Sequence, residues 1–139
     1  MNNDDLKLLR KKMDNLRAFH SQRLANEVSK TGLEIVGIAK GQAPVDTGKL
    51  RQSIKAEKKG KSVEIVANAN YAPYVEFGTG GNVTLDDMLE LGIPASYAEQ
   101  FKGAKEGNMR PQPFFFSAAR IGFQNFLNRL KSDLNNSIK

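Results

Sequence analysis

The chain has 139 residues, 40% of them hydrophobic, a formal net charge of +6 at pH 7 and no cysteine. This length and hydrophobic content are typical of one domain with a modest core. The absence of cysteine excludes disulfides, thiolate nucleophiles and the common structural zinc sites, and the single histidine, His20, leaves little from which to build a metal centre. We therefore expect no cofactor and no metal.

The distribution of charge, the N-terminal sequence and the lengths of the apolar segments further limit the classes of protein to which the chain can belong. Lys and Arg are scattered along the whole sequence, so the positive charge is only a weak indication of a nucleic-acid partner. The polar, acidic start "MNNDDLKLLRKK" does not resemble a secretory signal. No segment approaches the roughly 18 apolar residues of a membrane span. We expect a soluble protein that is made inside the cell and has no membrane partner.

The first element is a long helix from Asp4 to about Lys40. Its apolar residues recur at spacings of three and four, which predicts one buried stripe: Leu6, Leu9, Met13, Leu16, Leu24, Val28, Ile35 and Ile38. His20 falls on this stripe, which favours a packed or interfacial histidine over a ligand or base. Such a helix reaches on the order of 50 Å, so part of it should project beyond the core or pack on a neighbouring subunit. Gly32 and Gly37 make a kink near "KTGLE" plausible.

The stretch "APVDTGKLRQSI", residues 43–54, contains the tripeptide that carries the catalytic carboxylate in aspartic proteases, Asp46-Thr47-Gly48. Those enzymes need two such carboxylates that share a proton, and the chain has no second copy, so only a homodimer could supply the pair. A turn explains the residues more simply. Asp46 or Thr47 would accept hydrogen bonds from following amides, Gly48 would permit a tight turn, and a short helix would follow.

That short helix should point Leu50 and Ile54 into the core, because they are four residues apart. Arg51 should then face outward or toward an acidic partner such as Glu76. Next, the segments Ile54–Lys58 and Ser62–Asn68, separated by "KGK", predict an antiparallel hairpin. The lysines at its edges indicate a solvated hairpin tip more strongly than a phosphate-binding patch.

The second dense stretch is "NANYAPYVEFGTGG", residues 68–81. Tyr71, Tyr74 and Phe77 are three residues apart, which predicts a short helix that Gly78 ends and whose aromatic rings lie in the core. A strand is the alternative, although Pro73 argues against a central one. For Glu76, an ordinary salt bridge is a simpler interpretation than a general base.

The rest of the chain divides at about residue 110. Residues 79–110 contain caps and stop signals for two short helices, in an excursion long enough to carry partner contacts. Pro111 and Pro113 then predict an extended arm or strand, followed by a helix from about Ser117. The expected buried stripe of that helix is Ala119, Phe123, Phe126, Leu127, Leu130, Leu134 and Ile138.

These elements predict an α+β fold in one domain, residues 1–139. It comprises a long N-terminal helix (1–41), a motif turn, hairpin and aromatic segment (42–78), the excursion (79–110), and an arm with a C-terminal helix (111–139). The sheet should be small and mainly antiparallel, with the C-terminal helix packed on it. Phe114–Phe116 are either surface reserved for neighbours or strand residues of which at least two are covered.

Read in order, "APVDTGKLRQSI", a hairpin, "YAPYVEFGT", an excursion and "QPFFFSAAR" resemble the head-tail joining or tail-completion (minor tail) proteins of long-tailed bacteriophages and prophages. The resemblance covers residues 30–130. The first motif of that family matches Pro44, Asp46, Thr47, Gly48, Leu50, Arg51 and Ser53. The second matches Tyr71, Ala72, Tyr74, Val75, Glu76, Phe77, Gly78 and Thr79, and the third matches Pro113 and Phe114 before departing at Phe115–Ser117.

The resemblance implies a non-enzymatic virion component of the phage neck or upper tail, assembled as a homo-oligomeric ring. Its implied partners are the connector, the tail terminator and the tail tube, with DNA passing nearby. The subunit could be a monomer before assembly. The motif residues then have structural or interface roles, and no catalytic or cofactor-binding residue is implied.

Two other classes remain open. A basic nucleic-acid-binding module would use the cations of the first helix against phosphates: Lys7, Arg10, Lys11, Lys12 and Arg17. Asp14 lies among those cations, which weakens this alternative. An aspartic-type protease built on Asp46 is the least favoured class.

Overall fold

The computed structural model describes residues 2–45, 48–80, 85–90, 92–101 and 109–137. Its helices are α1 (Asn3–Ala18), α2 (Leu24–Gln42), α3 (Lys49–Ser53), α4 (Ala72–Phe77), α5 (Leu85–Glu90), α6 (Ala95–Phe101) and α7 (Phe116–Ser137). The strands are β1 (Ile54–Lys59) and β2 (Ser62–Ala67). The expected α+β class and the order of its elements are confirmed.

The N-terminal helix is continuous but not uniform. Asn2 begins it as a reciprocal cap, because its Oδ1 accepts from the Asp5 amide at 2.9 Å while its own amide approaches the Asp5 carboxylate at 3.4 Å. A π-helical turn, Phe19–Arg23, separates α1 from α2. α2 continues through both Gly32 and Gly37 without a break, and the kink expected near them stays a prediction. An irregularity lies at the start of α2, as a π turn within a longer helix.

Gly32 has a packing role. A Cβ atom built on Gly32 would lie 2.6 Å from Cγ1 of Val63 on β2, so the missing side chain lets the hairpin approach the helix. Gly37 faces open space. Gly32 therefore marks a close contact between a helix and a strand.

α2 lies between the hairpin and α7. On the α7 side, a Cβ on Gly122 would lie 2.2 Å from Cγ1 of Ile35, so the two long helices are in close contact there. The main packing partner of the C-terminal helix is thus α2, and the hairpin covers another part of α2. Ser117 adds a link at the end of α2, where its hydroxyl donates to Oε1 of Gln42 at 2.8 Å.

The hairpin pairs Ile54 with Ala67 and Lys59 with Ser62, and its two-residue turn is Gly60-Lys61. Gly60 has φ of +61°, a backbone conformation that glycine adopts without steric cost. The predicted antiparallel hairpin is confirmed, and its lysines are exposed at the edges and tip. The tip carries one ion pair, in which Nζ of Lys59 lies 2.5 Å from Oε2 of Glu64.

The principal core cluster joins α2, α3, β1, α4 and the start of α7. Its buried residues are Ile35, Ala39, Ala43, Leu50, Ile54, Ala72, Val75, Phe114 and Ala118. The prediction that Leu50 and Ile54 share the core is confirmed. A second cluster consists of Phe77, Met88, Ile93 and Ala98, with Leu85 and Phe116 packed against it. The excursion therefore contributes two short helices, as expected, and these helices have an apolar contact of their own with α4.

The buried face of α7 differs from the predicted stripe. Phe123 is 57% exposed and Leu134 is 39% exposed, whereas Ala118 and Gly122 are fully buried. Ile138 lies outside the described residues. The stripe was assigned to large apolar residues, but α7 approaches α2 so closely that small residues occupy the contact line. The register of the prediction is therefore wrong at Phe123 and Leu134, while Phe126, Leu127 and Leu130 are half-buried as part of the inner side.

Candidate assembly site around Glu76

The first motif begins at the end of α2 and contains α3. Gly48 has φ of +76° and precedes α3, and its carbonyl accepts from the Gln52 amide at 3.0 Å. Pro44 is half-buried, and Leu50 is buried at the start of the short helix. Asp46 and Thr47, which we expected to hold backbone amides, lie outside the described residues. The predicted short helix is confirmed, whereas the turn before it and the roles of Asp46 and Thr47 stay predictions.

Arg51 differs from the expectation that it faces outward or toward Glu76. It is half-buried, and its Nε is a buried donor without a hydrogen-bond partner among the described residues. No hydrogen bond or ion pair joins the described side chains of Arg51 and Glu76, and the Glu76 carboxylate accepts from backbone amides instead. The suggested Arg51–Glu76 pair is therefore wrong.

The carboxylate of Glu76 is the centre of the second motif. It lies on α4, is 3% exposed, and accepts hydrogen bonds from three consecutive backbone amides. Oε2 accepts from Phe114 at 2.7 Å and from Phe115 at 3.0 Å, and Oε1 accepts from Phe116 at 3.1 Å. An ordinary salt bridge, the simpler interpretation from sequence, is wrong, because the charge of Glu76 is stabilised by amides.

The same carboxylate caps the last helix. The first amides of a helix have no partner within it, and a negative charge at that end interacts favourably with the helix dipole. α7 begins at Phe116, so Glu76 satisfies the amides at its start from 38–40 residues earlier in the chain. Ser117, the predicted cap, instead bonds Gln42.

The segment before α7 is clasped to the end of α4. The Thr79 amide donates to the Met109 carbonyl at 3.0 Å, and the Met109 amide donates to Oγ1 of Thr79 at 2.9 Å. The Gln112 amide donates to the Val75 carbonyl at 2.8 Å. Gly78 has φ of +83°, and a Cβ there would lie 2.7 Å from the Met109 carbonyl oxygen. Any side chain at residue 78 would separate the two segments.

The aromatic residues of this junction pack on both sides of Glu76. Phe114 is buried at 1% exposure in the principal core, and Phe115 meets it edge to face with ring centroids 6.2 Å apart. Phe116 stacks on Phe77, with centroids 5.9 Å apart. Phe115 and Phe116 are half-buried, so the alternative that at least two of the three phenylalanines are covered is confirmed. Tyr71 also packs against the principal core, as predicted for this aromatic segment, and Tyr74 is half-buried.

A mainly apolar groove of about 330 Å³ opens beside the junction. Its wall is formed by β2, the start of α4, Tyr97 of α6 and the three phenylalanines, with Glu76 and Phe77 at its side. Pro113, the other third-motif residue, is exposed nearby in the extended segment. The structure thus brings the second and third motifs together at one groove. The first motif lies at the same open end of the hairpin, where the Asn68 amide donates to the Ser53 carbonyl at 3.1 Å and Leu50 shares the principal core with Val75 and Phe114.

A polar clasp joins α2 and α7 beyond the apolar contact. Arg129 donates from Nε to Glu27 at 2.8 Å, from Nη1 to Glu34 at 2.8 Å and from Nη2 to Thr31 at 2.7 Å. Asn125 donates to Oε1 of Glu34 at 2.6 Å. The hydrogen bond from Asn125, followed by that from Arg129, holds the pKa of Glu34 below its ordinary value, and the hydrogen bonds that Arg129 donates to Glu27 and Glu34 raise the pKa of Arg129.

Sequence reasoning missed this clasp, although a signal for it exists. Glu27, Thr31 and Glu34 are spaced four and three apart, and Asn125 and Arg129 are four apart, so each set lies on one face of its helix. A polar stripe of this kind resembles an exposed face until its partner is known. The pairing across about 100 residues is visible only in the fold.

α1 contrasts with the rest of the described chain. None of its residues is buried, and Leu6, Leu9 and Met13 remain about half exposed on one face. These side chains form a shallow groove with Arg10, Asp14 and Arg17. His20 is also exposed, so its packed alternative is wrong for a single chain and its interfacial alternative stays a prediction.

Comparison with known proteins places the motifs in a family. The family model described as "Bacteriophage HK97-gp10, putative tail-component" matches residues 8–78, about half of the chain. The chain belongs to this HK97-gp10-like family. No curated protein and no solved structure matched the chain. The match contains the first motif and the second motif up to Gly78, and the amides that Glu76 holds lie beyond the matched residues.

Family membership supports a tail-associated structural component of a bacteriophage, as the sequence resemblance implied. Within the ranges that the structure describes, no three acidic or histidine side chains are grouped as a metal site would require. In the same ranges, no helix combines the length and apolar character needed to cross a bilayer.

Proposed function

We propose that the protein is a structural virion component of the phage neck or upper tail, which joins or completes the tail for attachment to the DNA-filled head. In this role its copies form a ring, and the ring contacts other neck and tail proteins such as the connector, the tail terminator and the tail tube. The role requires no catalysis and no cofactor.

The observation that carries the proposal is α1. A helix of 16 residues with an apolar stripe and no buried residue is costly to leave in water, and its own domain does not cover it. Such a surface suits a protein whose final environment is an assembly. Ring subunits make head-to-tail contacts that close by rotation, and a projecting helix can supply one side of such a contact.

The contacts around Glu76 and Arg129 hold each subunit together as one body from which α1 projects. Glu76 fixes the start of α7 to α4, and the clasp of Arg129 fixes α7 to α2. These contacts lie within one chain, which agrees with a subunit that folds as a monomer before its copies associate. The virion is the expected location.

The test is removal of the gene from the phage or prophage that encodes the chain. We expect full heads and tails that remain unjoined, or tails that end abnormally, when the particles are examined by electron microscopy. Supplying the wild-type chain from a plasmid should restore joined particles, and mass spectrometry should detect the chain in purified virions. Normal joined particles without the chain would overturn the proposal.

The alternative of a nucleic-acid-binding module has less support from the geometry. The cations of α1 are interleaved with Asp4, Asp5 and Asp14, so no single basic face results. Duplex binding by the purified protein at low salt that weakens steeply with added salt would favour it. The protease alternative is ended by the lack of peptide cleavage in the wild type, or by cleavage that survives Asp46→Asn.

A further inference from the structure

The stripe of α1 and the groove beside Glu76 are complementary surfaces. The stripe presents Leu6, Leu9 and Met13, about half exposed, over a helix about 24 Å long. The groove is mainly apolar, and its volume of about 330 Å³ is suited to a few aliphatic side chains rather than to a whole helix. Inserting the leucines of one copy into the groove of another would remove both apolar surfaces from water.

The charges around the two surfaces also match. α1 carries five cationic and three acidic side chains, and Arg10 and Arg17 flank the stripe directly. The groove is bordered by α6, on which α5 packs, and these two helices contain four acidic residues and no basic one: Asp86, Asp87, Glu90 and Glu99. All four are exposed. An α1 helix seated in the groove would bring its arginines toward this acidic pair of helices.

Pairing of two α1 helices with each other fits less well. The positions that flank the stripe are Arg10 and Arg17 on one side and Asp5 and Lys12 on the other. A parallel pair would place Lys12 against Arg17 as well as Asp5 against Arg10, so its charges are only half matched. An antiparallel pair would place the arginines against each other and match only Asp5 with Lys12. The stripe also spans only about two heptads before His20 and the π turn interrupt it, which is short for an independent coiled coil.

We propose that α1 of one copy docks, through Leu6, Leu9 and Met13, into the groove between β2, α4, α6 and the start of α7 of a second copy. Each copy then offers one helix and one groove, so the contact is head-to-tail and propagates from copy to copy. This inference rests on the proposed function in that it names the subunit contact of the assembly.

The cysteine-free chain allows a direct test by disulfide cross-linking. Three full-length variants are compared under mild oxidation at high protein concentration: Leu9→Cys, Tyr97→Cys and the double variant. We expect the double variant to form a ladder of species larger than a dimer, and an equal mixture of the two single variants to form one dimer. Each single variant alone should remain uncross-linked on a non-reducing gel.

Each outcome of the cross-linking experiment either supports or contradicts the proposed contact. A dimer of Leu9→Cys alone would show α1 pairing with α1 and would overturn the proposal, as would the absence of any cross-link in the double variant. Circular dichroism and thermal melting of each variant verify the fold. As a second measurement, Arg10→Glu with Arg17→Glu should reduce the cross-linking yield of the double-cysteine variant at least about tenfold, and adding Asp86→Lys with Glu90→Lys should recover it.

The proposed function is tested separately by the presence of the chain in virions and by the particles that lack it. A chain found in virions, without the Leu9–Tyr97 cross-link, would leave the function intact and remove this contact. A cross-linked ladder from a protein that is absent from virions would leave the contact intact and remove the function.

Discussion

α1 and α2 are two halves of one helix with opposite environments. Both carry apolar residues at spacings of three and four, and the π turn Phe19–Arg23 is all that separates them. α2 buries Thr31, Gly32, Ile35 and Ala39 between the hairpin and α7, whereas α1 buries nothing. An amphipathic pattern therefore predicts that one helix face is buried against another surface. The fold determines whether that surface belongs to the same chain.

The positions of glycine and alanine account for the difference in burial between α1 and α2. The hairpin approaches α2 at Gly32, and α7 approaches α2 through its own Gly122. At both positions an added Cβ atom would collide with a neighbouring side chain. α1 contains no glycine and one alanine, Ala18, at its end. A helix face with large apolar residues and no small ones is typical of a surface that is not in close contact with another backbone in its own chain.

The largest expected effect is on the free energy of unfolding, and it distinguishes a substitution in α2 from a matched one in α1. Ile35→Ala in α2 should lower the free energy of unfolding by about 3 kcal/mol, because it leaves a cavity beside Gly122. The matched change in α1, Leu9→Ala, should alter stability by less than about 0.5 kcal/mol. Urea unfolding of both variants measures the difference. Equal losses would show that α1 is covered within the isolated protein.

The next largest effect on stability is expected at Glu76, whose carboxylate joins α4 to the start of α7. Glu76→Ala should cost about 3 kcal/mol, since it leaves the buried Phe114 amide and its two neighbours without their acceptor. Glu76→Gln should cost less, about 1–2 kcal/mol, because one carbonyl oxygen remains to accept. Thermal unfolding distinguishes the two. A Gln variant as unstable as the Ala variant would mean that the charge matters and the number of acceptors does not.

A smaller effect compares two glycines in the long helices. Gly122→Ala should destabilise by about 1–2 kcal/mol, because overpacking against Ile35 outweighs the gain in helix propensity. Gly37→Ala, which meets nothing within 4 Å, should stabilise by up to about 1 kcal/mol. The opposite signs are the result to look for in denaturant midpoints. Stabilisation by both changes would contradict the close approach of α7 to α2.

The smallest effect is the pH dependence of the polar clasp. The pKa of Glu34 is held below its ordinary value of 4.5 by Asn125 and then Arg129, so its stabilising contribution is complete above that value and disappears as the pH falls through the folded-state pKa. Glu34→Gln should therefore lower stability at pH 7 by up to about 1 kcal/mol, since the site is partly open to solvent.

The clasp prediction has an internal control. The difference between wild type and Glu34→Gln should shrink as the pH is lowered below 4.5, and it should be smaller at pH 7 in an Arg129→Met background. Unfolding curves at several pH values provide both comparisons. A constant difference across pH would show that Glu34 acts by packing and not by charge.

Local signals in the sequence predicted much of the fold. The hairpin followed from the two segments on either side of "KGK", and the short helix α4 followed from its aromatic spacing and from Gly78. These features depend on residues within a few positions of one another. The resemblance to a phage tail family likewise rested on contiguous motifs, and the family match confirms it.

What the sequence did not predict depends on distant partners. Glu76 meets amides 38–40 residues away, and Arg129 meets carboxylates about 100 residues away, so no local pattern identifies either pairing. The face of α7 was misjudged because large apolar residues were assumed to define the contact. At Gly122 the contact is defined by the absence of a side chain, which hydrophobic periodicity does not register.

The clasp between Thr79 and Met109, together with Glu76 and the Phe114 amide, makes the intervening excursion a closed cassette with both ends anchored to α4. Closing such a loop costs only about 0.6 kcal/mol more for each doubling of its length. Segments of different length or composition can therefore be exchanged between these anchors while α4 and α7 keep their positions. The fold separates a constant frame from a replaceable part that could adapt one subunit to different neighbours.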